Sequence, residues 1–154
     1  MNATDARSLL SRHGTCRPQP ASDWRGDFPL PGQLAAFYQD VGPDDISIDT
    51  GANPVFLPSL SNLWERQAGY RWNALTGQPI ANWNPEWIVV ADEGADPYVF
   101  YRGSILSASH GSGVWDFHGA FPNLVTMACS LATKSYDDDD EEEEEEEEES
   151  GDED

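Results

Sequence analysis

The sequence predicts an α+β fold, a largely antiparallel meander sheet with helices packed against it. Three observations carry that expectation. Segments with helical apolar spacing dominate the first half of the chain and one more closes it. Between them lies a succession of short apolar runs separated by turn residues. No period repeats along the chain, which excludes a solenoid.

Residues 4–13 read as a short helix, with Thr4 as N-cap, Leu9 and Leu10 as the apolar face and Gly14 as the stop. Arg17-Pro18-Gln19-Pro20 then breaks the chain, and Trp24 and Phe28 are expected to enter the core from an irregular approach. Pro31 suits the first turn of a second helix, in which Leu34, Phe37, Tyr38 and Val41 form one stripe before Gly42-Pro43 ends it. Ile46 and Ile48 alternate with Asp45, Ser47 and Asp49, the pattern of a half-buried strand, and Val55-Phe56-Leu57 is a second extended piece between prolines. Residues 59–67 suit a short helix with Leu60, Leu63 and Trp64 inward and Gly69 beyond its end.

The stretch 70–85 is loop-like, rich in Asn, Gly and Pro, yet it holds Trp72 and Trp83. Strands are expected over 87–91, 98–101 and 105–109. The turn compositions 92–97 and Arg102-Gly103 separate them and favour antiparallel pairing. Residues 114–117 are a further strand candidate. Phe121, Leu124, Val125, Ala128 and Leu131 make a helical stripe over about 122–132.

The C-terminus follows different rules. Of the 18 residues 137–154, 16 are Asp or Glu. A block of like charges repels itself and buries nothing, so a disordered, solvated tail is expected. Residues 1–136 carry 13 acidic against 8 basic side chains, a net of −5; the tail adds −16 to reach the whole-chain −21. All six Trp, five Tyr and six Phe lie between Trp24 and Tyr136, enough for a single domain over 1–136 with one core. Its negative charge argues against nucleic acid as a direct ligand and for basic protein partners. With no apolar stretch long enough for a bilayer and no secretory signal at the N-terminus, a cytoplasmic protein is expected. Cys16 and Cys129 stand far apart, outside any CxxC, and are expected as free thiols.

No catalytic constellation assembles from these residues, and a non-enzymatic chain without cofactor or metal is expected. His13, His110 and His118 lack the spacing of a zinc site. Ser109 and Ser112 beside His110 fall outside a Gly-x-Ser-x-Gly elbow, and neighbours on one turn do not converge as a triad must. Gly111 and Gly113 have no following Lys to hold phosphate. Asp92, Glu93 and Asp96 lack the alternating ligands of a calcium loop, so they read as a charged turn. The group Trp64, Tyr70, Trp72, Trp83 and Trp87 reads by default as core. Trp72 and Trp83, however, lie in a polar loop, where aromatic side chains serve binding surfaces. Asp92, Glu93, Asp96, Trp72 and Trp83 are therefore the candidate partner contacts.

The order of segments resembles the SUKH superfamily, which groups bacterial toxin-immunity proteins with fungal cell-wall regulators. The run from Leu30-Pro31 through Phe37-Tyr38 to Val41-Gly42 looks like its early helix. Trp83-Asn84-Pro85-Glu86-Trp87-Ile88-Val89-Val90-Ala91-Asp92, followed by Asp96-Pro97-Tyr98-Val99-Phe100, is similar to its central hairpin. Gly103 to Ile105, His110-Gly111, Trp115 and Phe121 to Leu131 resemble its closing strand, loop and helix, although Gly119-Ala120-Phe121 replaces the Ser-Phe pair that often opens that helix. The resemblance spans about residues 30–132. It implies a binding role and no catalytic residues: an immunity protein that neutralises a cognate, basic nuclease-type toxin in the cytoplasm. An intracellular adaptor that gathers basic or disordered partners through the acidic tail is the alternative.

Overall fold

Helix α1 (Ala3–Leu10) opens on a reciprocal cap: the Asn2 side chain accepts from the Asp5 N–H and the Asp5 carboxylate from the Asn2 N–H, each at 2.9 Å. The cap therefore lies at Asn2 and not at Thr4, because the Asn2/Asp5 spacing supplies both halves of the pair. The computed structural model describes residues 1–51, 53–94, 96–108 and 115–134. The expectations for the tail 137–154, for Ser109, His110, Gly111, Ser112 and Gly113, and for Val114 lie outside the described residues.

Helix α2 (Gly32–Asp40) buries Leu34, Phe37 and Tyr38 and is followed by buried Val41. Gly42 adopts φ +65°, and a Cβ there would collide with the Arg17 carbonyl, so glycine lets the 16–19 segment cross the helix end. Gln19 is fully buried on that crossing. Its Nε2 donates to Pro43 O (2.8 Å) and its Oε1 accepts from Leu60 N (2.7 Å), joining the end of α2 to the start of α3 (Leu60–Leu63). The single helix expected over 59–67 is in fact α3 and a separate 3₁₀ turn, Glu65–Gln67.

The sheet has six strands: β1 (Ile46–Ile48), β2 (Val55–Leu57), β3 (Ile88–Glu93), β4 (Asp96–Tyr101), β5 (Ser104–Ser107) and β6 (His118–Phe121). Their order is β1-β2-β3-β4-β5-β6 and every pairing is antiparallel, so the α+β meander is the fold. Three boundaries differ from expectation. Asp92, Glu93 and Asp96 belong to strands and not to the turn, because Gly94 takes φ +70° and lets the chain reverse sharply. The closing strand is His118–Phe121 and not 114–117. Phe121 pairs with Ile105 in that strand, because Asn123 caps α4 (Leu124–Thr133) by accepting from Thr126 N at 2.8 Å.

Alternation along the strands divides the interior in two. Ile46, Ile48, Leu57, Ile88, Phe100 and Ile105 face the helices, meeting residues such as Leu10, Leu34, Tyr38, Met127 and Leu131. A register shift between Val89 and Ala91 lets both Val90 and Ala91 join that side. Val89 and Val99 face the other way, beneath a cover of Trp83 with Tyr70, Trp87, Trp115 and Phe117. Short β2 pairs with β3 only at Asp92 and Glu93, which leaves the edge beside Val89 without a strand. Buried Gln67 fills it: Oε1 accepts from Val89 N (2.8 Å), while Nε2 donates to Val89 O and Leu63 O (2.9 Å each).

Gln67→Leu keeps most of the volume but leaves Val89 with an unpaired buried donor and acceptor. Each such group costs about 1–3 kcal/mol, so urea unfolding should show a loss of about 2–4 kcal/mol. A loss below about 0.5 kcal/mol would mean that water or a backbone shift satisfies the edge.

Candidate functional site

In a six-strand meander the ends of β1, β3 and β5 meet the starts of β2, β4 and β6 at one end of the sheet. Asp49 follows β1, Asp92 and Glu93 close β3, Asp96 opens β4 and Asp116 precedes β6. Topology thus gathers five carboxylates from distant parts of the chain. Arg66 Nη2 lies 3.6 Å from Asp92 Oδ2, and His118 Nε2 lies 3.8 Å from Asp116 Oδ2. Arg66 also lies 4.3 Å over the Phe56 ring, the side-chain neighbour of Asp92 across the β2–β3 pairing.

Two recesses flank the β3–β4 hairpin. One, of about 540 Å³, is lined by Glu65, Arg66, Gly69, Tyr70, Asp92 and Trp115, among others. The other, of about 200 Å³, has Glu93, Asp96, Tyr98, Ser107 and His118 in its wall. Strand alternation explains the division, since adjacent Asp92 and Glu93 point to opposite faces. The Asp92 side chain is 15% exposed, and burial raises its pKa more than Arg66 lowers it. Burial, reinforced by the Asp92 charge, pushes the Tyr70 phenol up to about 12. Tyr98 is raised too, by burial first and then by Glu93 and Asp96. A cationic group brought here would meet the part-buried Asp92 carboxylate beside the rings of Tyr70 and Trp115.

Of the residues selected from sequence, Asp92, Glu93 and Asp96 come together at this end. Trp83 does not present a surface. It is 9% exposed, stands edge-on to Trp87 at 5.1 Å and covers Val89 and Val99. Trp72 is half-buried against Trp64 at 5.0 Å, in a second aromatic group with Trp24 and Phe28. The expectation of exposure from a polar loop fails for Trp83 because 70–85 folds back over the sheet. Tyr70 and Trp115 were read as core and strand, yet they wall the larger recess. Arg66 gave no signal, since its pairing with Asp92 spans 26 residues of sequence.

Other polar groups are divided: Trp83 Nε1 and Arg71 Nε are buried without a hydrogen-bond partner, whereas several others serve the fold. His13 Nε2 lies 3.0 Å from Ala132 O, tying the end of α1 to α4. Cys16 and Cys129 are free thiols, both with pKa values raised by burial. Among the described residues, no three His, Cys, Asp or Glu are grouped to hold a metal, and no helix is long and apolar enough to cross a membrane.

A raised phenol pKa means that the folded state holds the Tyr70 proton more tightly than the unfolded chain does. Its contribution to stability is full below the ordinary value of about 10 and is lost as pH rises through about 12. Tyrosinate absorbance should therefore show a transition near pH 12 that Tyr70→Phe removes. Over that interval the wild type should lose stability relative to the variant; a phenol titrating near pH 10 would show the recess to be open to water.

The chain matches no protein-family model, no curated protein and no solved structure, so its likeness to the SUKH superfamily rests on segment order alone.

Proposed function

We propose that the chain is a non-catalytic, protein-binding immunity protein. On this reading it neutralises a cognate toxin in the cytoplasm by setting the acidic end of its sheet against a basic, nuclease-type surface. The observation that carries it is the convergence of Asp49, Asp92, Glu93, Asp96 and Asp116, beside Tyr70 and Trp115, at one end of the meander. A surface that grips nucleic acid is cationic, so clustered carboxylates can occupy it and exclude the phosphates. Complementary charge also speeds encounter, to on-rates of about 10⁸–10⁹ M⁻¹s⁻¹ at low salt.

The acidic tail adds −16 to the field but is screened beyond about 8 Å at physiological salt. Steering is therefore assigned to the tail and specificity to the folded end. The tail's density, 16 acidic residues of 18, also favours a second reading, an adaptor that gathers basic or disordered partners chiefly through 137–154. Deleting 137–154 separates the two. An immunity protein should still protect, with slower association, whereas an adaptor should lose most of its partner binding.

Co-expression with the product of the adjoining gene tests the primary reading, protection of the cell being the readout. The triple variant Asp92→Asn, Glu93→Gln, Asp96→Asn should slow association with that product about tenfold at low salt, the deficit shrinking as salt rises. Because the ionised Asp92 has a raised folded pKa, its charge costs stability above that pKa, so Asp92→Asn alone should not lower the melting temperature at neutral pH. An unchanged association rate in the triple variant would remove the acidic end from the interface.

A further inference from the structure

At the opposite end of the sheet, the start of β3 and the end of β4 border a groove of about 740 Å³. Phe28, Pro31, Ile88 and Phe100 give it apolar walls, and Arg71 and Arg102 reach into it. The two arginines differ. Arg102 is exposed and already forked onto Glu86, Nε to Oε1 at 3.3 Å and Nη2 to Oε2 at 3.1 Å. Arg71 has no carboxylate within ion-pair distance among the described residues. Its Nη2 donates to the carbonyls of Pro85 and Trp87, and its guanidinium lies 5.1 Å from the Phe28 ring and 5.6 Å from Trp64. Its Nε is buried with no hydrogen-bond partner.

A partly buried cation without a counter-ion, and with an orphaned donor, is costly to the fold. Desolvation indeed lowers the Arg71 pKa more than the charge of Asp27 raises it. Two carbonyl dipoles and two ring faces hold the guanidinium in place, but none supplies a negative charge.

We propose that this groove binds a small organic monocarboxylate with an aromatic or branched apolar body. Arg71 takes the carboxylate, and Phe28, Pro31, Ile88 and Phe100 enclose the body. The volume falls within the range of about 300–1,000 Å³ typical of small-molecule sites. A monoanion is the matched charge. Arg102 is neutralised by Glu86, and Asp27 also lines the groove, so a dianion such as a phosphate monoester would meet one uncompensated cation and two carboxylates. The chain's own tail of Asp and Glu has charge but no apolar body to fill the walls. The groove lies at the other end of the sheet from the acidic surface, so this site stands or falls independently of the immunity reading.

The test uses the full chain and two probes of equal shape, 3-phenylpropionate and its neutral amide, 3-phenylpropanamide. Binding is followed by side-chain NMR shifts and by calorimetry. The carboxylate should bind at least about tenfold (1.4 kcal/mol) more tightly than the amide, with shifts centred on Phe28, Ile88 and Phe100. This comparison needs no variant, which matters because Arg71→Met could loosen the loop that Arg71 ties to Pro85 and Trp87. Gly32 lines the groove, and a Cβ there would meet nothing within 4 Å, so Gly32→Phe can fill the space and should abolish binding. Equal affinity for acid and amide, no binding of either at millimolar concentration, shifts centred on the acidic end, or undiminished binding by Gly32→Phe would each overturn the proposal.

Discussion

The carboxamide of Gln67 takes the place of a missing strand, and both candidate sites depend on it. Short β2 covers β3 only at its far end, and Gln67 pairs with both backbone groups of Val89 where no neighbouring strand does. Its own carbonyl accepts from Tyr70 N (3.0 Å) and Arg71 N (2.9 Å). The side chain thus fixes the residue to the sheet, and the main chain fixes Tyr70 and Arg71, which line the two candidate sites, to it. Tyr70 turns toward the acidic end, and Arg71 toward the groove at the other end. Buried amides with every bond satisfied are rigid, and a rigid anchor lets a loop hold side chains in defined places.

The same anchor explains why one face of the sheet can be covered without helices. The helices α1, α2 and α4 pack on the first face, while the second is roofed by Tyr70, Trp83, Trp87, Trp115 and Phe117. Rings such as Trp115 and Phe117 stack at 5.7 Å, and Trp87 and Phe117 meet edge-on at 4.5 Å. Aromatic side chains bury about 150–250 Å² each, so a few of them replace a helix as a lid. That roof also lowers the local polarity around Asp92 and Tyr70. Tyr70 belongs to that cover, and burial raises the pKa of its phenol and of the neighbouring Asp92 carboxylate in the larger recess.

At the two candidate sites, buried charge works against stability. Asp92 is paired to Arg66 at a separation too long for a good hydrogen bond, and burial outweighs the attraction. Arg71 is held by carbonyls and rings without an opposing charge. By contrast, Gln19 and Gln67, equally buried, satisfy their polar atoms at both ends. The two glutamines are matched within the fold, whereas Asp92 and Arg71, at opposite ends of the sheet, are matched incompletely.

Local pattern determined a great deal by itself. The stripe Leu34, Phe37, Tyr38 and Val41, the alternation at Ile46 and Ile48, and the apolar runs around Val89 and Val99 encode their elements through spacing, because helices and strands bury faces at periods of about 3.6 and 2. The acidic residues at the β3–β4 hairpin were legible for the same reason, since turn composition marks where neighbouring strands reverse. Contacts across the sequence were not. Whether Trp83 faces water or roof depends on where its loop lands, and Phe121 ends in a strand because Asn123 starts the helix after it. Gln19, Gln67, Arg66 and Arg71 look like ordinary polar residues in a string of letters. Their partners lie in segments that only the folded chain brings within hydrogen-bond or ring-contact distance, and that distance decides which polar groups are satisfied and which are not.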